Sequence, residues 1–234
     1  MNADKLSKRL ERVADFVPKG SKTADIGSDH AYLPCYLVKK DVIPFAIAGE
    51  VAEGPFQSAA GQVQAEGLEE QVSVRKGDGL DVLDPGEAEC VTIAGMGGAL
   101  IASILERGKD KLANVKRMIL QPNVSAISIR EWFMENGWEL VEEDILEEDG
   151  KIYEVLVGEK GDPSLPYKDM ENKGLLFGPF LMNKVNEAFK KKWALEKDNW
   201  EKILSQLEKA AQSEETLRKR QELQQKIKWA EEVL

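Results

Sequence analysis

TADIGSDHAYLP, residues 23–34, is the stretch on which the fold turns. Residues 23–27 form a short apolar strand that carries one acid, Asp25, and ends on Gly27. Residues 28–31 form a polar turn, and residues 32–39 a helix whose first turn accommodates Pro34. A strand, a tight turn and a helix in that order open a βαβ unit, so the surrounding sequence should alternate in the same way.

It does. Residues 45–51, 72–76, 90–94 and 118–121 read as further strands, and residues 55–66, 99–107 and 126–135 as crossover helices. Upstream, Leu6, Leu10, Val13, Ala14 and Val17 recur at three- and four-residue steps and mark an amphipathic helix that ends before Pro18. Downstream, residues 140–147 and 152–157 read as two strands joined by a turn at Asp149 and Gly150. Right-handed crossovers bury both faces of such a sheet. A closing antiparallel pair, in place of a sixth crossover, is the ending of a Rossmann-like class I methyltransferase sheet. Beyond residue 160 come a turn-rich linker, GDPSLPY, and an apolar cluster, KGLLFGPFL, around Gly178 and Pro179. From residue 183 two apolar stripes follow, Trp193, Trp200, Leu204, Leu207 and Ala211, then Leu217, Leu223, Ile227, Ala230 and Leu234. They are separated by Gln212, Ser213 and Thr216. This predicts a C-terminal α-helical hairpin, an intramolecular coiled coil, whose first helix would be about 40 Å long. The expected organisation is thus a Rossmann-like domain over 1–160, a linker and apolar cluster over 161–182, and a hairpin over 183–234.

The chain has 234 residues and a formal charge of −10. No apolar run is long enough to span a bilayer and residues 1–20 lack a signal-peptide core, so a cytoplasmic protein without membrane contact is expected. One histidine and two separated cysteines, Cys35 and Cys90, make a structural metal site unexpected. The charge is uneven. Residues 139–149 hold seven carboxylates and no base, and read as a solvated surface, whereas residues 1–22 carry six bases against three acids.

Four features fall at carboxyl ends of successive strands, where open α/β sheets bind ligands. Asp25 can face the amino-acid portion of a ligand, and Gly27 lets backbone approach it closely. The turn Ser28, Asp29, His30 has a single glycine before it and an acid inside it, a poor receptor for pyrophosphate. Glu50, before Val51, can accept hydrogen bonds from ribose hydroxyls. Asp78 and Gly79 can receive an adenine amino group and close over the ring. The segment AGMGG brings Ala94, Gly95, Met96 and Gly97 beside the reacting centre and the substrate. Acidic turns without a phosphate cradle fit S-adenosylmethionine, which has a sulfonium, an ammonium and no phosphate. On residues alone the activity is therefore methyl transfer. The acceptor stays open between a nucleic acid, a protein and a small molecule, and a non-catalytic scaffold built around the hairpin is a further alternative.

DIGSDHAYLP, IAGEV, GDGL, IAGMGG and LQPN together resemble the bacterial tRNA (adenine-N1)-methyltransferase family that modifies adenine 22. The resemblance runs over essentially the whole chain, FGPFL and the charged tail included. It implies transfer of a methyl group to N1 of adenine in the D-arm region of tRNA, with Asp29 as the leading catalytic candidate and His30 as the other possible base. A loop AGMGG, where many base-amine methyltransferases have Asn-Pro-Pro-aromatic, agrees with attack through a ring nitrogen. Tyr32 would stack on the flipped base, and Gln121 and Asn123 would offer amides to its edge. Lys5, Lys8, Arg9 and Arg12, spaced to share a helix face, and Lys190, Lys191, Lys192, Arg218, Lys219 and Arg220 in the hairpin would hold tRNA phosphates. The working unit is expected to be a monomer.

Overall fold

The computed structural model describes residues 2–168, 170–209 and 213–234. Seven strands form one sheet in the order β3-β2-β1-β4-β5-β7-β6. β1 (Lys22–Ile26), β2 (Phe45–Glu50), β3 (Val72–Lys76), β4 (Cys90–Gly97) and β5 (Arg117–Val124) are parallel. β7 (Lys151–Lys160) runs antiparallel to β5 and forms a hairpin with β6 (Trp138–Glu148). The chain order reverses between β1 and β4, which opens a crevice at the carboxyl ends of these strands.

Both faces are covered. α1 (Lys8–Asp15), α2 (Tyr32–Lys39) and α3 (Glu53–Glu66) pack on one, where Val13, Leu37 and Val63 share a core with Ala46 and Ile119. α4 (Gly98–Arg107) and α5 (Ala126–Glu135) cover the other, with Ile101, Leu105, Ile129 and Phe133 against Val91 and Met118. α2, α4 and α5 match the expected spans to within a residue and α3 begins two residues early, whereas the N-terminal helix is shorter than expected, with Leu6 and Val17 outside it.

Four strands outrun expectation: β6 and β7 pass the expected 140–147 and 152–157 at both ends, and β4 and β5 lengthen for a specific reason. β4 and β5 were expected to end at Ala94 and Gln121, just before Gly95 and Pro122. Instead the ladder passes them through register shifts on either side of Met96, and Met96 pairs with Pro122. Gly95 sits at φ 81°, so glycine serves here as a bulge residue and the strands continue. At the tip of β6–β7, Asp149 and Gly150 both have positive φ, 51° and 73°, as a two-residue hairpin turn requires.

The acidic run 139–149 is not a solvated surface. Glu143 is 2% exposed, and Asp144, Glu147 and Glu148 are taken by Arg12, Lys191 and the Lys8 N–H. Segment 161–182 is no loose linker either. Tyr167 is buried in the core beneath α4 and α5, and α6 (Glu171–Phe177) ends on Phe177, close before Leu181. These two share a second core with Phe189, Trp193 and Trp200 of α7 (Glu187–Glu208). α7 has 22 residues. At the usual helical rise that is about 33 Å, shorter than expected. Asn186 and Ser213 cap α7 and α8 (Glu214–Val233) through their side chains, so Ser213 begins a helix as well as separating two. Lys197 in α7 pairs with Glu231 near the end of α8 at 3.2 Å, which fixes the two helices as antiparallel. Ala211 and Gln212 lie outside the described residues.

Candidate active site

A cleft of about 330 Å³ opens at the ends of β1, β2 and β4. Asp25 is its floor. Parallel register sets Asp25 beside Thr92, whose hydroxyl donates to Oδ1 at 2.6 Å, while Ser28 Oγ donates to Oδ2 at 2.6 Å. Burial pushes the Asp25 carboxyl above the usual carboxylate range, and the two hydroxyls pull it back. Thr92 escaped the sequence reading; its signal was a lone hydroxyl within the apolar strand CVTIAG.

The turn after β1 is wound tightly. Gly27, Asp29 and Ala31 have φ of 71°, 56° and 53°, and Ala31 N–H closes on Ser28 O at 3.1 Å. Only glycine adopts such angles freely, so Asp29 and Ala31 are held there by their surroundings. Glu50, at the end of β2, supplies part of that hold by accepting the Asp29 N–H. Glu50 is 6% exposed, and burial, ahead of the nearby Asp25 and Asp29 charges, raises its pKa. The Asp29 side chain stands exposed at the rim, 3.7 Å from His30 Nε2. His30 in turn stacks on Tyr32, with centroids 5.1 Å apart. Asp29 and Tyr32 both line the cleft, together with Ser28, Ala94 and Gly95.

A Cβ on Gly27 would collide with Met96 Cε. The Met96 side chain thus lies directly over the Gly27 backbone. Gly97 caps the start of α4, and Gly98 packs so tightly that a Cβ there would overlap Ser125 O. Val51 is exposed just beyond β2.

Other expected residues are placed differently. The Asp78 carboxylate is bonded by Arg107 at 2.6 and 3.3 Å and does not line the cleft, while Gly79 packs on Ile104. Gln121 is fully buried. Its carbonyl accepts from Gly95 N–H and Arg9, and its amide donates to Pro122 O at 2.8 Å, so both ends serve the protein and neither is left for a base edge. Asn123 is exposed, but its amide already donates to Gly95 O at 2.7 Å. Gln121 and Asn123 therefore brace the Gly95 bulge.

The basic residues do not form two open faces. α1 starts at Lys8, so Lys5 is off the helix. Arg9 turns into the cleft and lies over the Tyr153 ring at 5.4 Å, and Arg12 pairs with Asp144 at 2.5 Å. Lys190 pairs with Glu187, Lys191 with Glu147, Lys192 with Glu154 and Arg218 with Glu222; Arg220 has a partner as well. For Arg12, Lys191 and Lys192 the cause is the β6–β7 hairpin, whose carboxylates pass beside both α1 and α7. Lys5, Lys8 and Lys219 remain exposed without an ion pair among the described residues.

The donor set suits one kind of ligand. Three carboxylates and one arginine converge on a glycine-floored cleft, which matches a molecule with two cationic centres, a ribose and a single carboxylate. Among the described residues no metal-ligating group of three or more side chains converges, and no helix is long and apolar enough to cross a membrane.

Strand order, hairpin ending and acid-lined cleft together define a class I methyltransferase. Residues 23–232 match the family model described as tRNA (adenine(22)-N(1))-methyltransferase. The chain belongs to that family. The curated tRNA (adenine(22)-N(1))-methyltransferase of Bacillus subtilis strain 168 is 52% identical over 100% of this chain and 99% of its own. The crystal structure of the B. subtilis tRNA methyltransferase TrmK superposes with a TM-score of 0.95 at 51% identity, covering 98% of this chain and 99% of that one. A Streptococcus pneumoniae protein solved in complex with S-adenosyl-L-methionine superposes with a TM-score of 0.87 at 45% identity, covering 98% and 100%.

Proposed function

We propose that this protein transfers a methyl group from S-adenosylmethionine to N1 of adenine 22 in tRNA. The observation that carries this reading is the cleft itself, whose carboxylates Asp25 and Glu50 are buried at the ends of β1 and β2 in a chain of this family. Asp25, Gly27, Ser28, Glu50, Val51, Ala94, Gly95 and Met96 are the residues proposed to hold the cofactor. Asp78 and Gly79 join them at the adenine end if Arg107 releases the Asp78 carboxylate.

Bound S-adenosylmethionine supplies an electrophilic methyl group. Adenine N1 carries a lone pair at neutral pH, so no proton need be removed before attack, and the methylated ring becomes a cation. Asp29, exposed at the rim and fixed through its own backbone N–H, is proposed to face that positive ring and to take a proton from N6 afterwards. His30 and Tyr32, stacked on each other, offer an aromatic surface beside Asp29 for an extruded base. Methyl transfer onto unmodified tRNA, followed by nucleoside analysis, tests the assignment. N1-methyladenosine at position 22 is the expected product; methylation elsewhere, or none, would refute it.

Further proposals concern organisation. We take residues 1–160 as the catalytic unit and 161–182 as the connection to a hairpin over 183–234. The hairpin is proposed to be an intramolecular coiled coil that contacts tRNA within a monomer. The apolar residues of α7 and α8 meeting in one core support that view. A reducing, cytoplasmic setting suits two thiols that are buried and unpaired.

A further inference from the structure

We propose that a groove between the β5–α5 turn and α7 holds the base of a tRNA nucleotide next to the methylated adenine. The inference rests on the function reading above and gives that reaction a second, base-sized subsite. The groove, of about 420 Å³, runs from Asn123, Val124 and Ser125 at the end of β5 to Trp193, Leu195 and Trp200 of α7. It is built partly from the sheet and partly from the helical hairpin, and it shares no lining residue with the cofactor cleft.

Position favours a nucleotide beside the target. Asn123 donates to Gly95 O at 2.7 Å, Val124 pairs with Gly97, and Gly98 packs against Ser125 O. The AGMGG segment that lines the cleft through Gly95 therefore also touches the wall of the groove. A base drawn out of its stack leaves the flanking base short of a stacking partner. The strand that delivers the adenine to the cleft must also leave across the loops at these strand ends.

Chemistry separates a base from a phosphate. Two lysines and two glutamates line the groove, so its charges balance, and Lys192 is already paired with Glu154. The rest is mainly apolar and aromatic, which suits a flat uncharged ring. Val124 and Leu195 are 65% and 61% exposed, large fractions for aliphatic side chains that share one groove. One donor stands ready. Trp193 Nε1–H is buried and donates to nothing among the described residues, whereas buried donors are nearly always paired; a ring nitrogen or carbonyl of a base would satisfy it. Ser125 adds strain at the rim, with φ at 58° and no side-chain cap on α5, a cost that turns at functional sites commonly carry.

The experiment uses the full-length protein and unmodified tRNA in which one nucleotide flanking adenine 22, on either side in turn, lacks its base. For the wild type, one of the two removals is expected to lower kcat/KM by about 10-fold, within the range for a base stacked on protein. The double variant Val124→Ser, Leu195→Ser is neutral, so repulsion of a polyanion cannot mimic the effect. It should lose about the same factor with intact tRNA and little more with the abasic one, because the contact is already gone. Its S-adenosylmethionine affinity and log–log salt slope of tRNA binding should match the wild type, since no phosphate contact is removed. Trp193→Phe keeps a ring, removes the donor, and should cost about 3- to 10-fold. Equal losses on base removal in the wild type and the double variant would overturn the inference, and so would a wild type indifferent to both abasic sites. Self-association of the wild type that the double variant abolishes would make the groove an interface between copies and overturn it as well. A wild type that methylates no tRNA at all would refute the function reading, and this inference with it.

Discussion

Asp29 reaches the rim of the cleft in a strained backbone conformation. Its φ is 56°, a value that an ordinary residue adopts only when its neighbours impose it. Glu50 imposes it from below by accepting the Asp29 N–H. The two acids therefore divide their tasks, one holding and one exposed. Asp29→Ala is expected to keep cofactor affinity while single-turnover transfer falls at least about 100-fold; a rate near wild type would return the role to His30 or to positioning alone. Glu50→Ala should weaken S-adenosylmethionine by about 1.5–3 kcal/mol, measured by calorimetry. Acidity gives a second handle. Burial raises the pKa of both Asp25 and Glu50, so they take up protons at higher pH than a free carboxyl, whose pKa is about 4. Cofactor affinity should decline on acidification while these groups are neutralised, before ordinary surface carboxylates titrate. Their contribution to fold stability has the opposite sign. A carboxyl whose folded pKa is raised is a burden when ionised, and that burden lifts as pH falls through the folded value. A cofactor dissociation constant that stays flat down to about pH 4, the range of free carboxyls, would contradict this account.

At the scale of elements, a buried ionic cluster decides how the tail meets the sheet. Arg130 of α5 is fully buried and donates to Glu143 of β6 at 2.7 Å, to Glu154 of β7 at 2.6 Å and to Leu175 O at 3.2 Å. Lys192 of α7 completes the group by pairing with Glu154. Burial works to raise the Glu154 carboxyl, but Lys192 and Arg130 outweigh it and hold the group below the usual range. Gly178 passes so close that a Cβ would stand 2.7 Å from Glu143 Oε2. Arg130→Ala leaves two buried carboxylates short of a partner and should cost about 3–5 kcal/mol. Urea unfolding followed by tryptophan fluorescence would detect it, and a loss under about 1 kcal/mol would show the cluster to be solvated. None of this was read from the sequence. The hints were Arg130 on the same α5 face as Ile129 and Phe133, and Glu154 isolated in the apolar run IYEVLV. A charge inside an apolar period reads as noise until its partner, far away in sequence, is known.

For the whole molecule, the question is how a chain of net charge −10 holds a polyanion. Ion pairing engages five of the ten expected bases: Arg12, Lys191 and Lys192 pair with β6 and β7, and Lys190 and Arg218 pair within their own helices. Lys5, Lys8 and Lys219 stay available. The triple variant Lys5→Ala, Lys8→Ala and Lys219→Ala should lower the log–log salt slope of tRNA binding by roughly one unit for each phosphate no longer held. Arg12→Ala, in contrast, should lower thermal stability and leave that slope nearly unchanged. Fluorescence anisotropy of labelled tRNA over a potassium chloride series distinguishes the two, and an unaltered slope in the triple variant would move the RNA-binding surface to the loops around the cleft.

The division between what was legible and what was not follows the range of the forces involved. Alternating strands and helices, the hairpin turn at Asp149 and Gly150, and the acids Asp25 and Glu50 at strand ends are local matters of period, turn geometry and chain direction. The sequence carries such information within windows of a few residues. The far ends of β4 and β5 escaped because a bulge needs a partner strand to be recognised, and here each strand is the other's partner. The basic residues misled for a related reason. A helix shows which bases share a face, but only the tertiary structure brings β6 beside α1 and α7 and sets carboxylates against those bases. Arg9 is the sharpest case: spacing groups it with Lys8 and Arg12, whereas packing of α1 against β4, β5 and β7 turns it into the cleft. Charge acts through space, so its partners are fixed only when the fold decides which distant segments touch.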